Sequence, residues 1–201
     1  DAWISSNATP PPSRHARLDD GTAVPSASLK SVFQSFPGVG FPDHLRHLSR
    51  QDYGPRDGIV ENLPPVTGNP YPALVSNVDQ DGNDVAGIRL PDVSVPLASV
   101  PGWNLRHPDT GGPGQTHKTM GSTLPFAFTK QERQDTSDPR PSIEERYASR
   151  QDYLDRVETA AQDLASERYM LEEDVPRVSE MAGERYDLLE SRVKEAQPAG
   201  D

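Results

Sequence analysis

The chain has 201 residues, a formal charge of −11 and a sequence pI near 4.9, with 33% hydrophobic and 6% aromatic residues and a mean hydropathy of −0.74. That balance argues against a nucleic-acid surface, which needs clustered Lys and Arg, and equally against an anionic membrane face. No apolar run approaches the length of a bilayer span, and the lack of cysteine removes disulfides, thiolate metal sites and Cys nucleophiles without choosing a compartment.

In chain order, Asp1-Ala2-Trp3-Ile4 has the character of a helix end cut from something longer, which points to a fragment. Residues 5–28 carry Pro10-Pro11-Pro12 and the turn Asp19-Asp20-Gly21 and read as extended surface loop, because proline fixes φ and removes a donor. Leu29–Phe36 is a short apolar stretch of ambiguous type, closed by Pro37-Gly38. Six prolines between residues 41 and 72 exclude long helices there. Tyr71–Val78 and Val85–Leu90 flank Asp81-Gly82, a pairing that predicts a β-hairpin near 71–90, since glycine accepts the positive φ of a tight turn. Pro91 and Pro96 end regular pairing, and Gly111-Gly112-Pro113-Gly114 is a loop.

From Pro141 the pattern changes to helix. Ser142 with Glu145, and Ser149 with Asp152, place a hydroxyl three residues before a carboxylate, the spacing that caps a helix start. Tyr153, Leu154, Val157, Ala160, Ala161, Leu164 and Ala165 recur at helical spacing, as do Val175, Val178, Met181, Ala182, Leu188 and Leu189. Two helices are therefore expected at roughly 149–169 and 173–194, with Pro176 tolerated near the second start and Gln197–Asp201 as a frayed tail. The organisation is a Pro/Gly-rich wrapping region over 1–140 and a helical segment over 141–196, both within one α+β, loop-rich domain. Irregular backbone on this scale fits poorly inside an independent core and better as a covering over another one; plain disorder is the competing reading of so polar a chain.

Candidate chemistry is sparse. Asp79, Asp81 and Asn83 alternate like the start of a calcium loop, but the sixth and twelfth positions are Asp84 and Leu90, so the segment reads as a turn. His44 and His47 could share a helical face, with Asp43 and Asp52 nearby, yet Pro42 and Gly54 leave little helix to hold zinc; no metal or other cofactor is assigned. His15, His107 and His117 are isolated in loops. No Gly-x-Ser-x-Gly nucleophile elbow occurs, Gly121-Ser122 included, so no catalytic residue is assigned; His107 is the least poor histidine for a hydrolase, and nothing orients it. The Glu/Arg alternation of the tail reads as a solvated face with weak ion pairs. Trp103, Asn104 and Arg106 bring a stacking surface, an amide and a cation together, either to line a binding pocket or to pin a loop onto a core.

Several segments resemble the C-terminal part of the large bacterial "alpha/beta hydrolase domain" proteins. They are Asp1-Ala2-Trp3 with Thr9–Arg14, Tyr53-Gly54-Pro55, Asp79–Arg106, Leu124–Ala127, Asp138–Tyr147 and Arg168–Val175; Gly102–Arg106 and Asp138–Tyr147 are the most specific. The resemblance implies a serine-type hydrolase of ester-like bonds whose nucleophile elbow and catalytic histidine lie upstream of Asp1. This chain would then supply its C-terminal portion, inactive alone, with the upstream remainder of the domain as its partner and a small-molecule ester as substrate of the full protein. Trp103, Asn104 and Arg106 carry over as motif positions without a catalytic role. The alternative is a non-catalytic acidic module whose helical hairpin docks on a partner protein.

Overall fold

The computed structural model describes residue 5 and residues 7–43, 45, 47–117 and 119–196. The expected helix end at 1–4, one member of the His44/His47 pair and the expected frayed tail at 197–201 lie outside the described residues.

Three two-stranded antiparallel pairs form instead of one large sheet. Strand β1 (Ala23–Pro25) pairs with β4 (Leu74–Ser76), Val24 opposite Val75. Strand β2 (Ser49–Asp52) pairs with β3 (Val66–Pro70), with a register shift between Ser49 and Gln51. Strand β5 (Ala98–Ser99) pairs with β6 (Leu124–Pro125). Helix α1 (Leu29–Val32) settles the ambiguous apolar stretch, and α2 is a single turn at Pro91–Ser94. Helices α3 (Lys130–Asp135) and α4 (Ile143–Arg146) are short, and α5 (Arg150–Ser166) and α6 (Val175–Ala196) are long.

The capping spacing forms as its chemistry requires. Glu145 Oε2 accepts from the Ser142 N–H at 3.0 Å and from its hydroxyl at 2.8 Å, and Ser149 Oγ accepts from the Asp152 N–H at 3.1 Å. The first long helix stops at Ser166, three residues short of the expected end. Arg168 N–H bonds to Ala165 O and Tyr169 N–H to Leu164 O, the paired bonds of a Schellman motif, with Arg168 at φ +68°. No glycine announces that stop, so the helical spacing runs past it.

The expected hairpin at 71–90 is shorter and differently partnered than its sequence suggests. The chain does reverse at Asp81-Gly82, but the arms meet in one bridge, Val78 to Asp84, and residues 85–90 form no strand. The longer pairing of the first arm goes to β1, fifty residues away. Gly82 sits at φ +78°, and a Cβ there would stand 2.8 Å from Phe33 Cζ. The turn is therefore pressed onto a ring of the core, which sets how far its arms can extend.

Two apolar clusters hold the molecule. Leu29, Phe33 and Phe36 gather Phe41, Val75, Val78, Trp103 and Leu124 around them. Ile143, Tyr147, Tyr153, Val157, Ala182 and Tyr186 form the helical core, and Leu97 and Phe126 enter it from the loop-rich part. Helices α5 and α6 lie against each other, with the Tyr153 and Tyr186 rings stacked at 5.5 Å. The β2–β3 arm is the exception to this burial: its strands contact chiefly one another, every residue of β3 is exposed, and Leu63 is 84% exposed.

Candidate functional site

Trp103 lies half-buried in the first apolar cluster. Its Nε1 donates to Gly40 O at 2.7 Å, and its ring meets Phe33 edge-on at 4.8 Å. Asn104 O accepts from His117 N–H at 2.7 Å, while Arg106 is exposed, with Nη2 donating to Thr110 O at 3.0 Å and its own N–H to Gln115 O. The segment thus forms a narrow ribbon with 115–117, bridged at Leu105 and Thr116. Among the described residues, no hydrogen bond, ion pair or ring contact joins Trp103, Asn104 and Arg106 to one another.

The oxygens of the calcium-like run are used within the protein. Asp79 Oδ1 accepts from the N–H groups of Asp81 and Asn83, both at 3.0 Å, and its other oxygen pairs with Arg89. Asn83, fully buried, donates to Ala98 O at 3.1 Å and accepts from Val100 N–H at 2.8 Å, which ties the turn to β5. Asp81 takes Arg146 in a two-pronged ion pair, one prong at 2.8 Å.

That pair is half of a larger polar centre between the two clusters. Arg140 is 1% exposed and spends all five of its N–H donors. Nε and one Nη2 proton go to Asp138, at 3.0 and 2.6 Å; the rest go to Ser99 Oγ at 2.8 Å, Leu124 O at 3.0 Å and Pro125 O at 3.2 Å. Ser99 Oγ in turn donates a hydrogen bond to the Asp81 backbone carbonyl. Phe126 lies between two guanidiniums, with Arg146 4.0 Å and Arg140 5.1 Å from its centroid, and Phe36 covers Arg140 at 3.8 Å. Burial pushes the Asp138 carboxyl upward, but the Arg140 side-chain and backbone N–H bonds and its charge together hold it below the ordinary carboxylate range. Tyr147, buried beside this centre, is pushed up to about 12 and donates to Pro96 O at 2.9 Å.

Beside Phe126 a depression of about 490 Å³ opens between α3 and the C-terminal half of α6, lined by Phe128, Glu132, Leu189 and Arg192. Arg140 and Asp138 border it with every donor already used, so the depression offers an apolar floor and a charged rim. The described histidines sit elsewhere. His15 Nδ1 is 2.9 Å from Ser13 Oγ, both exposed, and His107 Nδ1 accepts from Asp109 N–H at 3.3 Å to cap its own turn. Among the described residues, no histidine is hydrogen-bonded to both a serine and a carboxylate, and no group of three His, Asp or Glu side chains could hold a metal ion.

The sequence singled out Asp138–Tyr147 as distinctive, but not what Arg140 and Arg146 do there. Their partners Ser99 and Asp81 lie 41 and 65 residues away, and no local spacing encodes such distances. The one signal available was two arginines flanking a helix start in a segment otherwise rich in carboxylates.

Compared with known proteins, residues 1–180 match a family model described as an alpha/beta hydrolase domain. No curated protein and no solved structure matches the chain.

Proposed function

The chain belongs to the alpha/beta hydrolase domain family, and from that premise we propose that it serves a serine-type hydrolase of ester-like bonds as a wrapping and closing portion. In this reading the nucleophile and its histidine lie in a part of the domain other than these 201 residues. Acyl transfer there passes through a serine acyl-enzyme, with backbone amides stabilising the oxyanion. A small-molecule ester is the substrate, and the remainder of the domain is the partner on which this chain packs.

The observation that carries the reading is the β2–β3 arm. Leu48, Tyr53, Val60, Leu63, Val66 and Tyr71 are all exposed on or beside it. A lone two-stranded ribbon is marginal in water, and so much apolar surface in one place marks a contact. The competing acidic-module reading needs the helical hairpin to present its apolar stripe. Tyr153, Val157, Ala161, Leu164 and Ala182 of that stripe are already buried, with Met181 and Leu188 left exposed.

The test uses the purified 201-residue chain with short acyl p-nitrophenyl esters. The expected result is no turnover above buffer, and ester hydrolysis when the segment encoded immediately upstream is co-expressed. Turnover by the chain alone, abolished by a fluorophosphonate, would overturn the placement of the nucleophile.

A further inference from the structure

Arg168 and Arg177 each occupy a position that local physics disfavours. Arg168 is the left-handed residue of the Schellman motif ending α5, at φ +68°, where glycine carries no steric cost. Arg177 lies in the first turn of α6, where the helix dipole favours an anion over a cation. Ten other arginines of this acidic chain are paired with carboxylates. Among the described residues, Arg50, Arg106, Arg168, Arg177 and Arg192 have no such partner, and of these Arg168 and Arg177 lie together on one depression.

Both line the same trough. It has a volume of about 590 Å³, lies at the α5–α6 turn, and is floored by Leu90, Met170, Val178 and Met181. Leu90 and Met181 are 48% and 43% exposed, so apolar surface is open to an occupant rather than closed over. Asp174 is the one carboxylate on its lining, leaving two cations against one anion. A second depression of about 510 Å³, which Arg168 and Tyr169 also line, is walled by Pro12, His15 and Ile88. Tyr169 itself is fixed by its hydroxyl on Pro12 O and by Arg14 stacked 4.6 Å over its ring. Methionines suit an apolar body of variable shape, and guanidiniums suit a carboxylate.

We propose that this trough binds an amphipathic carboxylate, the apolar body on Leu90, Val178 and the methionines and the carboxylate between Arg168 and Arg177. Cations retained where glycine and an acid would serve the helices better are explained by a ligand that uses them. The site stands apart from the hydrolase reading, because its binding is measured without turnover.

Decanoate is titrated calorimetrically into the full chain below its micelle concentration, alongside decyltrimethylammonium, which shares the apolar body and reverses the charge. Saturable one-site binding of decanoate is expected, with the cation at least about ten-fold weaker, and Arg177→Gln and Arg168→Gly each weakening decanoate by about five- to ten-fold through loss of a charge-assisted bond. Arg168→Gly should also raise the melting temperature by about 2–4 °C, as relief of left-handed strain in a chain of this size predicts. That rise separates a lost ligand contact from a damaged fold. Absence of saturable binding, equal affinity for the two probes, or undiminished affinity in both variants would overturn the proposal.

Discussion

Arg140 contributes to stability through what it prevents as much as through what it makes. Its guanidinium neutralises a carboxylate that is 4% exposed and satisfies Ser99 Oγ and two carbonyls of β6. Replacing a buried ion pair whole can be neutral, but removing one partner strands a charge. Arg140→Met should therefore lower unfolding free energy at pH 7 by about 3–5 kcal/mol, measured by urea denaturation. The Asp138 carboxyl titrates below its unfolded value, so its contribution is complete above that value and is lost as pH falls through the folded one. In Arg140→Met burial acts on Asp138 without its main counterweight and raises its folded value, so the gap between wild type and variant should narrow as pH falls from that raised value to the lowered wild-type one. A gap independent of pH across the acid limb would contradict the pairing. Trp103 is a residue of the other kind: its donor reaches Gly40 O, 63 residues away, and its ring fills a core. Its aromatic and polar character was plain in the sequence, whereas the choice between lining a pocket and pinning a loop depended on what lay opposite.

Among the elements, α5 and α6 were the most legible, because a 3.6-residue apolar period and a capping hydroxyl are local and redundant signals. Their ends were less so. The stop at Ser166 comes from Arg168 adopting a conformation that sequence statistics reserve mainly for glycine. The turn at Asp81-Gly82 illustrates the opposite balance: its chemistry was readable, but the pairing of its arms was not. A strand has no partner of its own, and Leu74–Ser76 found β1 rather than residues 85–90. Since Gly82 combines positive φ with a Phe33 ring atom 2.8 Å from where a Cβ would stand, Gly82→Ala should cost at least about 2 kcal/mol, the left-handed penalty plus displacement of a core ring. A thermal melt and near-ultraviolet dichroism of the aromatic cluster would register it; an unchanged melt would mean the turn is not seated on the core.

For the whole molecule, burial is uneven, and this has a dynamic consequence. The helical core and the Phe33 cluster are joined through Phe126, Arg140 and the Asp81–Arg146 pair, while the β2–β3 arm relies on its own ladder. Amides of Gln51, Asp52 and 66–69 should exchange with solvent orders of magnitude faster than those of 153–164, and a native-state exchange series would show it. Equal protection would mean that the arm is held by something beyond its own pairing. Composition, proline placement and helical period by themselves determined an acidic, loop-rich α+β chain closing in two amphipathic helices, because each of those properties is encoded within a few residues. The tertiary structure alone decided that Asp81 braces Arg146, that Ser99 serves Arg140 and that Trp103 reaches Gly40. Such partners are chosen by proximity and by the need to satisfy buried polar groups, across separations that no local pattern records.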